Sequence, residues 1–238
     1  NSPNPRELDV LLTVGEQKSV ALFSICMAAR GVKARSLLGS QVMIRTSDEH
    51  TRARIEDIST EKIKGLLSAG EILVIPGFQG VTDSGELTTL GRGGSDTTAV
   101  AIAAALKADV CDIYTDVDGV YTTDPRVVPK ARRLDRVAFE EMLEMASLGA
   151  KVLQVRSVEL AMVHKVRTFV RSSFEDPDAP GMGDLLNPPG TLICDEDEIV
   201  EQEVVTGIAY AKDEAQISLR RVADRPGVSA AIFGPLAE

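Results

Sequence analysis

Apolar positions along the chain switch between a helical period and short continuous runs, and the switches predict the element order. Residues 1–5 read as a loop. Thr13-Val14-Gly15-Glu16 matches a capping box ahead of a helix over 16–30, which Gly31 ends. Strands are expected over 32–38 and 41–46, with polar loop over 47–54. A helix starts at Ser59 or Thr60 and stops at Gly70. Residues 72–77 form an unbroken apolar run of the kind buried on both faces of a parallel sheet. Residues 78–89 read as a polar loop.

From about Thr97 to Lys107 nearly every residue is small and apolar, which predicts a helix buried on most of its circumference. A strand follows over 110–114. Residues 139–148 form an amphipathic helix with Phe139, Met142, Leu143 and Ala146 on one side. Gly149 breaks it, and Lys151 opens another helix running to about His164. Strands over 168–171 and 191–194 complete the series. Helices alternating with strands predict an α/β fold, a three-layer sandwich with a largely parallel sheet. Ligands bind such sheets where loops leave the carboxyl ends of strands.

The acidic run Asp195-Glu196-Asp197-Glu198 reads as a solvated linker and places a domain boundary after residue 195. Strands over 204–211 and 216–222 and a helix over 228–233 form a second, smaller unit spanning 203–238.

Two stretches carry candidate chemistry. In Leu90-Gly91-Arg92-Gly93-Gly94-Ser95-Asp96, the glycines permit backbone angles closed to other residues, and Ser95 or Asp96 can cap the helix that follows. Such a turn offers free N–H groups at the positive end of a helix dipole, which suits an anion. Arg92 adds a cation and Asp96 an anion, so a ligand bearing both charges, such as an amino acid, fits as well as a plain strand-to-helix turn does. In the second stretch, residues 115–126, Tyr121 offers an apolar face and Arg126 a planar cation suited to a nucleotide. Its aspartates equally suit turn formation. The two stretches are expected to meet at one cleft. Glu16 is either a capping residue or a ligand group at a helix start, and Lys151 opposes its helix dipole unless it faces an anion.

Composition narrows the field. With 238 residues, 44% hydrophobic and 26% charged, the chain is globular. A net charge of -10, no basic cluster, no tryptophan and few aromatics exclude a nucleic-acid surface. No apolar run of about 20 residues stands out, and no membrane partner is expected. Cys26, Cys111 and Cys194 are far apart, which fits reduced thiols in the cytoplasm rather than disulfides or a metal site. The two histidines give a Ser-His or Cys-His mechanism little to work with.

Residues 90–96, then Tyr114-Thr115-Asp116-Val117-Asp118-Gly119-Val120-Tyr121-Thr122-Thr123-Asp124-Pro125-Arg126, Phe139-Glu140-Glu141-Met142 and Gly149-Ala150-Lys151 closely resemble the aspartate kinase family. The resemblance covers nearly the whole chain and implies the amino-acid kinase fold. It also implies transfer of the γ-phosphoryl of ATP, with Mg2+, to the side-chain carboxylate of L-aspartate. On the family pattern Glu16, Arg92, Gly93, Gly94 and Ser95 border the aspartate site, with Asp96 beside them. Thr115, Asp116, Tyr121, Thr122, Thr123, Asp124, Pro125, Arg126 and Lys151 match nucleotide-binding positions. Arg92, Asp96 and Lys151 are then the charged catalytic set.

Residues 204–238 resemble the start of an ACT regulatory domain, with Asp224, Pro226 and Gly227 in its effector turn. Lysine or threonine would be the effector, and a homo- or hetero-oligomer in the cytoplasm is expected. The family's opening Lys-Phe-Gly-Gly-Thr-Ser segment does not occur here, so a fragment of the catalytic domain is expected. Kinases of the same fold acting on acetylglutamate, glutamate or UMP are the alternatives, as is a non-catalytic amino-acid-binding regulatory piece.

Overall fold

The computed structural model describes residues 3–150, 152–176, 178, 188–199, 205–210 and 228. Its first helix, α1 (Pro5–Ala29), begins well before the expected position. Asn4 accepts from the Arg6 N–H at 3.0 Å, and Pro5 supplies a helical φ at a position that needs no N–H donor. Thr13 is therefore not a cap. It is buried within the helix, and its hydroxyl donates to the Val10 carbonyl at 2.9 Å. The residues taken for a leading loop are in part the true cap.

α1 buries Asp9, Thr13, Val20 and Ser24 on one stripe and leaves Leu11, Leu22, Phe23 and Ile25 exposed. It is also long and apolar enough, by length and composition, to cross a membrane, against the expectation of no such run. Its polar stripe is nonetheless bonded into the fold at Asp9, and Gln17 donates to the Gln79 side chain at 3.0 Å.

The fold is α/β with mostly parallel pairing, as expected, and among the described residues its strands fall into three hydrogen-bonded sheets. β1 (Ala34–Ser36) pairs in parallel with β4 (Ile72–Val74), aligning Ala34 with Ile72. The second sheet has the order β3 (Ile55–Ile58), β2 (Ile44–Thr46), β5 (Gln79–Val81), β6 (Leu87–Thr89). The third has the order β7 (Cys111–Thr115), β9 (Thr168–Ser172), β10 (Thr191–Cys194), β8 (Arg136–Ala138). Four pairings are parallel among the described residues: β1–β4, β2–β5, β7–β9 and β8–β10.

β4 is not buried on both faces. Ile72 is exposed, because β1 is its one strand partner among the described residues. The expected loop over 78–89 is instead the β5–β6 hairpin. Its buried residues are largely polar, and the threonines are bonded: the Thr46 and Thr88 hydroxyls lie 2.5 Å apart, and Thr89 donates to Asp9 at 2.6 Å, while Gln79 accepts from Gln17 through its carbonyl oxygen. Polar side chains satisfied in this way bury like apolar ones.

The remaining helices are α2 (Glu61–Ser68), α3 (Gly94–Leu106), α4 (Phe139–Ser147) and α5 (Val155–His164). α3 lies between two cores. Val100 and Ala103 join Ile113, Phe139, Met142, Val158 and Val170 on one side; Ala101 joins Leu37, Ile44 and Ile63 on the other. A helix packed on both sides at close range needs small residues, which explains its alanine-rich sequence.

α5 starts at Val155 rather than at Lys151, and Lys151 lies outside the described residues. The acidic run is tied down: it turns through a short 3-10 helix, Glu196–Glu198, where Lys165 pairs with Asp195 and Arg167 with Glu198. The described residues 205–210 carry no strand, against expectation, and the strand expected over 216–222 lies outside the described residues. Of the helix expected over 228–233, only Val228 is described, in helical conformation.

Candidate functional site

The turn from β6 into α3 is built by its backbone. Leu90 N–H donates to the Phe78 carbonyl at 2.9 Å, and Phe78 N–H to the Thr98 hydroxyl at 3.0 Å. That hydroxyl in turn donates to the Gly94 carbonyl at 2.7 Å. Gly93, at φ 72°, is the N-cap of α3. Neither Ser95 nor Asp96 caps the helix; both lie in its first turn, because the left-handed Gly93 starts it earlier. The Gly94 N–H is turned back onto the Gly91 carbonyl at 3.1 Å and Thr97 N–H onto Gly93 at 3.2 Å. The Ser95 and Asp96 N–H groups have no backbone acceptor among the described residues, and they sit at the positive helix end.

Gly93 is required for a second reason. A Cβ there would lie 1.8 Å from Gln154 Cγ, so the N-cap of α5 is pressed against the turn. Arg156, in the first turn of α5, donates to the Leu90 carbonyl at 3.3 Å and to the Ala53 carbonyl at 3.0 Å. Burial and the nearby Arg54 push its guanidinium below the usual arginine range. Arg92 is exposed and pairs with no acidic side chain among the described residues. Asp96 is half-buried, and that burial raises its carboxyl above the ordinary aspartate value. The turn thus combines a helix start, two arginines and one desolvated carboxyl.

The 47–54 loop is fixed against this turn by Asp9. Both of its carboxylate oxygens accept from Thr51 N–H, at 3.1 and 3.0 Å, and one lies 2.7 Å from His50 Nδ1. Glu16 is an exposed residue in the middle of α1, not at a helix start, and no hydrogen bond or ion pair joins it to the turn.

The 115–126 loop leaves the carboxyl end of β7. Thr115 donates to Asp116 at 3.2 Å. Tyr121 donates its hydroxyl to Asp118 at 3.1 Å, and Asp118 also faces Arg133 at 3.5 Å. Burial and Asp118 together raise the Tyr121 phenol above its ordinary value. Thr122 is held by exchange with Arg132: its N–H donates to the Arg132 carbonyl at 2.9 Å and its hydroxyl accepts from Arg132 N–H at 3.1 Å. Thr123 is half-buried and Pro125 exposed.

Asp124 grips Arg126 by three donors: N–H at 2.9 Å, Nε at 3.0 Å and Nη2 at 2.9 Å. The Arg126 guanidinium holds the Asp124 carboxyl below its usual range. The cation expected to meet a nucleotide is therefore occupied by its own loop. No hydrogen bond or ion pair links this loop to the Arg92 turn among the described residues. Of the remaining expected site residues, Lys151, Asp224, Pro226 and Gly227 lie outside the described residues. Asp9, Gln154 and Arg156 were not anticipated. For Arg156 a signal existed, since a cation in the first turn of a helix opposes its dipole, as reasoned for Lys151.

An α/β core that presents a free helix start and two charged loops is an architecture for handling small anions, and residues 2–172 match the model of the amino acid kinase family. The chain belongs to that family. It is 56% identical over 236 residues to the aspartokinase of Pseudomonas aeruginosa, covering 98% of this chain and 55% of that protein. It is 48% identical over 239 residues to the aspartokinase of Corynebacterium glutamicum, covering 99% and 54%. The chain therefore spans about half the length of the curated relatives it matches. The crystal structure of E. coli aspartokinase III in complex with aspartate and ADP in the R-state superimposes with a TM-score of 0.72. That match has 40% identity and covers 82% of this chain and 42% of the other. The same enzyme with lysine and aspartate in the T-state gives 0.68.

Proposed function

We propose that this chain carries the catalytic part of an aspartate kinase, which transfers the γ-phosphoryl group of Mg-ATP to the side-chain carboxylate of L-aspartate to give 4-phospho-L-aspartate. The observation that carries the reading is the 56% identity to an aspartokinase over nearly the whole chain. The α3 start adds support, with its two free N–H groups beside Arg92 and Asp96.

The chemistry needs positioned charge and little else. A carboxylate nucleophile is already ionised at neutral pH, so no general base is required. The obstacle is bringing two anions together. Like charges about 4 Å apart repel by about 4 kcal/mol at an effective dielectric near 20. Phosphoryl transfer is catalysed mainly by cancelling such repulsion and by alignment. Arg92 is assigned the α-carboxylate of aspartate, where its planar fork gives bidentate contact. Gly93 and Gly94 let the backbone approach that carboxylate closely, the Ser95 N–H donates to it, and Asp96 or Glu16 meets the ammonium. Thr115, Asp116 and the Tyr121 to Arg126 segment, together with Lys151, are assigned to ATP; magnesium enters on the phosphates as part of that substrate.

The organisation proposed with it is a kinase domain over 1–195 and an ACT-like segment over 203–238, with Asp224, Pro226 and Gly227 at an effector site for lysine or threonine. The related E. coli structure in complex with lysine and aspartate supports an amino-acid effector. Cytoplasmic location and assembly into oligomers belong to the same proposal.

The test is acceptor-dependent ADP release from ATP with L-aspartate, acetylglutamate, glutamate or UMP, with hydroxylamine trapping to detect an acyl phosphate from the carboxylate acceptors. Aspartate-dependent acyl phosphate is the expected result; turnover of another acceptor instead overturns it. Because the chain spans about half of its relatives, a non-catalytic reading is also tested. Calorimetry that shows lysine or threonine binding without ATP binding establishes a regulatory piece.

A further inference from the structure

The chain beyond the last sheet strand returns to the fold at residues 205–210. Ile208 N–H donates to the Thr122 carbonyl at 2.7 Å. The Thr206 hydroxyl donates to Glu141, whose other carboxylate oxygen accepts the Ala138 N–H at 3.2 Å and so caps α4. Gly207 packs on the end of Met145, and a Cβ there would lie 2.8 Å from Met145 Cε and 3.4 Å from the Thr122 carbonyl oxygen. Tyr210 directs its hydroxyl at Asp124 from 3.5 Å.

These contacts fall on two targets, the 121–126 loop and one face of α4, where Glu141 and Met145 are four residues apart. On the loop they meet Thr122 and Asp124, the residues that fix its shape. Asp124 holds Arg126, and its carbonyl accepts from Val127 and Val128 at 3.0 Å each. Thr122 is bonded to Arg132 on its other side.

We propose that residues 205–210 form a strap that positions the 121–126 loop for nucleotide, with Thr206 and Ile208 as its positioning residues. Whatever pulls on the chain beyond Tyr210 then acts on nucleotide affinity through Thr122 and Asp124, without touching the nucleotide. The inference rests on the reading of this loop as the nucleotide loop.

Two loss-of-donor variants of the 238-residue chain and one restoring variant test it. Ile208→Pro removes the N–H donor. Thr206→Val removes the hydroxyl at constant shape, and Thr206→Ser restores it. Hydrogen exchange reads the loop directly, and calorimetry reads ADP and L-aspartate separately. Both losses of donor are expected to speed exchange over 121–134 by about tenfold, leaving residues 94–106 unchanged. ADP affinity falls by about five- to tenfold while aspartate affinity holds within about twofold, and Thr206→Ser returns to the parent values. Unchanged exchange over 121–134 in both variants overturns the strap. Faster exchange with unchanged ADP affinity overturns its link to nucleotide. If the unaltered chain binds no ADP, the kinase reading fails separately, and exchange still decides the strap. Should Ile208→Pro not fold, Thr206→Val carries the same readouts.

Discussion

The guanidinium of Arg156 donates to the carbonyl oxygen of Leu90 at 3.3 Å, which places the start of α5 in charge of the residue that opens the glycine turn. Its second arm holds the Ala53 carbonyl at 3.0 Å. One planar fork therefore fixes two backbone segments whose relative position sets where Arg92 stands. Hydrogen bonds from a charged donor contribute about 1.5–3 kcal/mol each when buried. Arg156 is half-exposed, so Arg156→Met is expected to cost about 2 kcal/mol in urea denaturation. Arg156→Lys, whose ammonium reaches one carbonyl at a time, is expected to lose about half as much. Equal stability of all three proteins sinks this assignment.

Gly93 and Gly85 separate conformational strain from collision. Both have positive φ, 72° and 85°, but a Cβ at Gly85 meets nothing within 4 Å while one at Gly93 runs into Gln154. Gly85→Ala is expected to cost about 1–2 kcal/mol, the left-handed penalty alone. Gly93→Ala must also move Gln154 and the start of α5. Its loss of stability should exceed that of Gly85→Ala by about 1–3 kcal/mol in the same denaturation series.

Asp96 gives a pH signature. Burial raises its carboxyl above 3.8 in the folded chain. The folded state therefore binds more protons than the unfolded state between 3.8 and the raised value, and stability falls as pH rises through that window. Asp96→Asn removes the ionisation. Its stability relative to the parent should climb as pH rises through that window and then level off. Denaturation midpoints that diverge in the opposite direction refute the desolvated carboxyl.

The thiols should react unequally. Cys26 is exposed, whereas Cys111 and Cys194 are buried. Burial pushes the Cys111 thiol up to about 12 and Cys194 to about 11, so neither presents thiolate near neutrality. A chromogenic disulfide reagent should titrate one thiol per folded chain and all three in denaturant. Cys26→Ser should abolish the fast phase.

Much of the fold was legible because its strongest patterns are apolar. The alanine-rich α3, the strand that became β7 and the strands β9 and β10 all emerged near their observed places. What escaped was held by polar contacts between distant residues. The β5–β6 hairpin buries Gln79, Thr88 and Thr89, which read as loop until Asp9 and Thr46 are seen to bond two of them. α1 was begun too late because Thr13 to Glu16 mimics a cap that Asn4 and Pro5 already supply. At the site, the turn was located correctly, but the capping role given to Ser95 or Asp96 belongs to Gly93. The contribution of Arg156 depends on carbonyls 66 and 103 residues away in sequence, and no local pattern encodes that.

The closed pair between Arg126 and Asp124 sets a threshold for whatever approaches that loop. A visitor with one negative charge offers the guanidinium little that its neighbour does not already provide. A polyphosphate brings several charges on one scaffold and can draw the arginine away while the freed carboxylate turns to water. If this loop takes the nucleotide as proposed, selection there is by charge number before it is by shape, and added salt, which screens exposed charges, blunts it.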